Sequence, residues 1–212
     1  MDRRDLLKRI ALITGATVIG ADFFLTGCKR SNKSEAGFTP DTVSLLNEVA
    51  ETIIPTTQTP GAKAAQVGEF MQVYVTDCYT QRQQDAFVQG LQALQESCNK
   101  LFGKSFMKCD QAERKEFLIT LEKEAKAYNL KRDEEDKPRR EAHEQRNSTL
   151  PWKDQTEFEG APSHYYTMIK QLTLLGFFTS QTGMTQTLRH IPVPGRYDGE
   201  FPYSKGDKAW AE

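Results

Sequence analysis

Apolar side chains return every three or four residues along much of the chain, and alternating runs of β-branched residues are absent, so the pattern predicts helices. Thr39, Pro40 and Asp41 supply in order an N-cap, a proline suited to the first helical position and an acid for the first turn. Val43, Leu46, Val49, Ala50 and Ile53 follow at helical spacing, which predicts a helix over 41–54 ended by Pro55. Two prolines and three threonines make 55–61 a loop. A second helix presents Val67, Phe70, Met71, Tyr74 and Cys78 on one face; a third presents Phe87, Leu91, Leu94, Cys98 and Leu101 before Gly103 stops it. Asp110 and Glu113 form the D-x-x-E capping box of a fourth helix, whose face runs through Phe117, Leu121, Ala125 and Tyr128. A fifth spans 165–175 with Gly176 behind it, and a short helix fits 184–189.

The fold class is therefore mostly α, a compact bundle of about five to six helices. Two segments break the pattern. Residues 131–146 hold twelve charges, six of each sign, around Pro138, and read as a solvated insertion that buries nothing and is helical only in short pieces. The tail, 191–212, combines three prolines and three glycines with Tyr197, Phe201, Tyr203 and Trp210, too irregular for a helix and too aromatic for a free linker. One domain covers 39–212, behind a polar tether at 28–38 and a leader at 1–27.

The 212 residues suffice for one core, and a net charge of −1 supplies no basic field for a nucleic-acid partner. Four cysteines form no C-x-x-C pair and share no ligand spacing with His143, His164 or His190, which argues against a metal. Nucleotide, serine-hydrolase and zinc-protease motifs are missing, and no acidic pair sits in an apolar setting that would shift its pKa. No catalytic, cofactor-binding or metal residue is assigned, and the chain is read as doing no chemistry alone.

The leader has its own grammar. Arg3, Arg4, Lys8 and Arg9 precede twelve uncharged residues, 10–21, too few to span a bilayer before Asp22. Asp2-Arg3-Arg4-Asp5-Leu6-Leu7-Lys8 resembles the twin-arginine export motif, without its leading Ser or Thr; a general secretory signal is the alternative. Leu25-Thr26-Gly27-Cys28 resembles a bacterial lipobox, which makes Cys28 the lipidated residue and places the chain on the periplasmic side of a bacterial membrane.

Three segments together resemble the gluconate 2-dehydrogenase subunit 3 family. Val49-Ala50-Glu51-Thr52-Ile53-Ile54-Pro55 followed by Thr59-Pro60-Gly61-Ala62 is similar to the family's helix ending in "IIP" and its "PGA" turn. The helix over 67–75 follows directly. Leu172-Thr173-Leu174-Leu175-Gly176-Phe177-Phe178-Thr179-Ser180-Gln181-Thr182-Gly183 is similar to the "GYFTSE" box, departing at Phe177 and Gln181, and Pro194-Gly195-Arg196-Tyr197-Asp198-Gly199 with Pro202-Tyr203 fits the family's tail. The resemblance implies a non-catalytic small subunit that helps a leaderless FAD-dependent, GMC-type oxidoreductase mature, leave the cytoplasm and attach to the membrane. A cytochrome c subunit often accompanies it, and FAD would reside in the partner. The alternative is a stand-alone helical lipoprotein holding a small ligand in a cavity lined by 67–102.

Aromatic residues read two ways. Tyr165, Tyr166, Phe177 and Phe178 at helical spacing suit a core, while Phe177, Phe178, Tyr197 and Tyr203 are the candidates for a partner interface. Among the thiols left after Cys28, a turn near Thr80 puts Cys78 far from Cys98, whereas the short link from Gly103 returns Cys109 toward Cys98. A Cys98–Cys109 disulfide is expected, with Cys78 a buried thiol.

Overall fold

The computed structural model describes residues 38–211 apart from 194, 196 and 197. Arg3, Arg4, Cys28 and Tyr197 lie outside the described residues. The Thr39 hydroxyl accepts the Thr42 N–H at 3.2 Å and opens helix α1 (Pro40–Ile53), which buries Leu45, Leu46, Val49 and Ala50. Helix α2 (Val67–Cys78) packs on α1 through Gly68, whose N–H donates to Asn47 Oδ1 at 2.8 Å. A Cβ at residue 68 would lie 2.6 Å from the Val43 carbonyl, so the contact admits only glycine. Tyr79 and Thr80 separate α2 from α3 (Gln81–Phe102), which ends on Gly103 in the left-handed region at φ 68°. A 3₁₀ turn, Phe106–Lys108, leads to the Asp110–Glu113 capping box and helix α4 (Gln111–Ser148).

Helix α5 (Tyr165–Thr179) touches α1, α2, α3 and α4 and is the centre of the bundle. It is apolar on most sides, as a helix surrounded by others must be, and buries Tyr166, Met168, Ile169, Leu172 and Phe177. Phe87, Phe106, Leu46, Met71, Leu94 and Leu121 complete the densest part of the core. After α5 comes a π turn, Gly183–Thr187, and then strand β1 (Arg189–His190), which pairs in parallel with β2 (Trp210–Ala211) to hold the tail.

Five expectations are corrected. Residues 131–146 are not an insertion helical in short pieces; they continue α4 through Pro138. The reason lies in a segment distant in sequence. Asn129, Arg132, Asp136, His143 and Asn147, three to seven residues apart on one stripe, bind the returning segment 156–164. Cys78 is exposed, because α2 turns its last residue away from the core, and Leu101 is exposed one residue before its helix ends. Gly176 lies inside α5 rather than behind it: a Cβ there would meet the Phe70 ring at 2.5 Å, so the glycine lets α2 and α5 approach. Phe177 is core at 1% exposure, which removes it from the candidate interface.

Candidate functional site

The loop after α1 is built around two carboxylates one helical turn apart. Glu51 accepts from the Thr56 N–H at 2.8 Å, the Thr56 hydroxyl at 2.7 Å and the Lys63 N–H at 2.9 Å. A Cβ on Gly61 would lie 2.3 Å from that carboxylate, which explains glycine at this position of the "PGA" turn. Glu48 joins Lys63 to Arg114 of α4, and Arg114 also donates to the Phe106 carbonyl at 3.2 Å and lies over the Phe106 ring. The Glu48 carboxyl is held below its ordinary value by the Lys63 ammonium, reinforced by Arg114 against the opposing effect of burial.

The second motif segment also serves the fold. Ser180 accepts the Gly183 N–H at 2.9 Å and donates to the Phe177 carbonyl at 2.7 Å, capping the π turn. A Cβ on Gly183 would lie 2.0 Å from the Phe177 carbonyl. Thr173 returns its hydroxyl to the Ile169 carbonyl at 2.8 Å, which lets a polar side chain be fully buried.

Beside these motifs, Phe178 is 39% exposed and continues the exposed apolar edge of Leu174 and Leu175 along α5. That edge borders a cleft of about 380 Å³ lined by Tyr74, Tyr79, Gln83, Ser163, Gln171 and Leu175. Burial pushes the Tyr79 phenol up to about 12, with Tyr74 adding to the shift, so Tyr79 stays protonated at neutral pH. In the tail Tyr203 is exposed, while Arg189 lies over the Trp210 ring at 4.7 Å and the Phe201 ring at 5.7 Å. His164 caps α5 by accepting the Tyr166 N–H at 3.3 Å, and burial lowers its pKa.

Cys98 and Cys109 are both buried, with their sulfurs 3.6 Å apart and unbonded. Burial raises the Cys98 thiol to about 12, and the neighbouring Cys109 thiol adds to the effect. Among the described residues no group of three His, Cys, Asp or Glu side chains could hold a metal, and no helix is long and apolar enough to cross a membrane. Sequence reasoning missed the hub made by Glu48, Glu51 and Arg114. The i, i+3 spacing of the two glutamates ahead of a Pro/Gly-rich loop was its only local signal, because Arg114 is 66 positions from Glu48.

These features define an all-α domain whose motif side chains hold its own loops and helix ends in place. The chain belongs to the gluconate 2-dehydrogenase subunit 3 family, which matches residues 40–195, and is thereby a small subunit of a dehydrogenase complex. No curated protein and no solved structure matches it.

Proposed function

We propose that this chain is the non-catalytic small subunit of a periplasmic, flavin-dependent sugar or gluconate dehydrogenase, and that it carries its catalytic partner through maturation, export and membrane attachment. The family match over residues 40–195 carries this reading. By the same family likeness, FAD is assigned to a GMC-type partner subunit, with a cytochrome c subunit as the acceptor of its electrons. The exposed edge at Phe178, with Tyr203 of the tail, is the contact surface assigned to the flavoprotein.

Export follows from the leader. Arg3 and Arg4 would direct the folded, flavin-loaded complex through the twin-arginine route, and Cys28 would hold it on the membrane by its lipid. Changing both arginines to lysine should strand the partner's dehydrogenase activity in the cytoplasm, read by fractionation. Undisturbed export of both chains in the double variant would contradict the proposed route. The cleft at Tyr74, Tyr79 and Gln83 is the observation favouring a stand-alone ligand-binding lipoprotein; that reading requires the chain to leave native membranes unaccompanied.

A further inference from the structure

The end of α3 and the start of α4 are joined by residues 103–110, and several contacts position this link without a covalent bond. Lys104 pairs with Glu113 at 2.8 Å, the Asp110–Glu113 box closes the first turn of α4, and Phe106 is sunk in the core against Phe117. Within that frame Cys98 is 0% and Cys109 6% exposed, and Cys109 Sγ donates to the Ser105 carbonyl at 3.6 Å. Two thiols eleven positions apart are held in van der Waals contact, their sulfurs 3.6 Å apart against the roughly 2.05 Å of an S–S bond.

We infer that Cys98 and Cys109 form a modification site: a disulfide that closes after the helices have packed, and locks α3 to α4. The oxidant is a disulfide, either of an oxidoreductase protein or of a small thiol. Cys109, the less enclosed sulfur, attacks one sulfur of that disulfide as its thiolate, forming a mixed disulfide and expelling the first thiolate. Cys98 then gives up its proton and attacks the Cys109 sulfur, expelling the second. Two protein thiols lose two protons and two electrons, and the oxidant's disulfide becomes two thiols. Burial of Cys98, which disfavours its thiolate, makes it the resolving sulfur rather than the entry point. Such an order suits a chain that folds in a reducing compartment and is oxidised later, and it stands whether or not a flavoprotein accompanies the chain.

The test uses the full chain made in a reducing cytoplasm, purified with reductant, and then exposed to oxidised glutathione. Before oxidation, circular dichroism should show the helical fold. Afterwards, peptide mapping should find Cys98 linked to Cys109 with a mass loss of about 2 Da, a thermal midpoint raised by on the order of 5 °C, and Cys78 joined to neither. Cys98→Ser should trap glutathione on Cys109, whereas Cys109→Ser should leave Cys98 unmodified. The inference is overturned by an unfolded reduced chain, by Cys98 and Cys109 both free after oxidation, by a link to Cys78, or by glutathione captured on Cys98 in the Cys109→Ser variant.

Discussion

Glu51 and Gly61 show how a family motif can be read as physical chemistry. The carboxylate replaces water for two backbone N–H groups and one hydroxyl of the 55–63 loop, and glycine leaves the room it occupies. Gly61→Ala should push the carboxylate away and cost about 2–4 kcal/mol, since two backbone donors lose their acceptor; Gly61→Ser should do the same. Urea denaturation measures it, and a loss under about 0.5 kcal/mol would mean that the loop finds other partners. Glu48 makes a separate, pH-dependent contribution. Its carboxyl titrates below the ordinary 4.5 in the folded chain, because Lys63 and Arg114 bind the ionised form. The stability it adds is complete above that ordinary value and drains away as pH falls through the lower, folded one. The gap between wild type and Glu48→Gln should therefore be wide at pH 7 and narrow at pH 3; a gap independent of pH would refute the assignment. Cys78 and Leu101 were misplaced for a simple reason. Helical spacing identifies a face, but near a helix end that face has no neighbour left to cover it.

The helix starts and stops that depend on adjacent residues were legible: Thr39 with Pro40, Asp110 with Glu113, and Gly103 all act as their local chemistry requires. Residues 131–146 were not, because what makes them helical is the segment that returns along them. Asn129, Arg132, Asp136 and His143 meet His164, Ser163, Ala161 and Thr156 in turn, so the segment runs antiparallel to the helix. Beyond Ala125, its last buried apolar residue, α4 extends about 35 Å as an arm held mainly by polar contacts. It ends at the 3₁₀ turn Trp152–Asp154, where Trp152 is 86% exposed. The arm keeps its helix although Pro138 removes one backbone donor, a defect that costs an isolated helix about 3 kcal/mol. Asp136 is the central clasp. It is 5% exposed, accepts from the Ala161 N–H at 2.7 Å and from Arg139 at 2.8 Å, and faces Gly160, where a Cβ would lie 2.6 Å away. Asp136→Ala or Gly160→Ala should release 155–163, so that hydrogen exchange there quickens at least tenfold while α1 and α5 keep their protection. Equal quickening in the core would mean that the arm and bundle unfold as one unit.

The five described helices use their motif side chains on themselves: two glutamates fasten a loop, a serine caps a turn, and an asparagine joins α1 to α2. What faces outward is of another kind, an apolar edge at Leu174, Leu175 and Phe178, an aromatic tail and a long polar arm. That division suits a subunit whose task is to hold another protein. The bundle and the family could be read from sequence because helical periodicity and short motifs are local properties. The hub joining Glu48 to Arg114 and the clasp at Asp136 could not, since each is completed by residues far along the chain. The most direct measurement is isolation of the full, tagged chain from native membranes in mild detergent, followed by an absorbance spectrum and subunit stoichiometry. The account predicts a yellow preparation in which a larger FAD-containing chain accompanies this one at about one to one. Recovery of this chain alone and colourless, from membranes that retain the dehydrogenase activity, would contradict it.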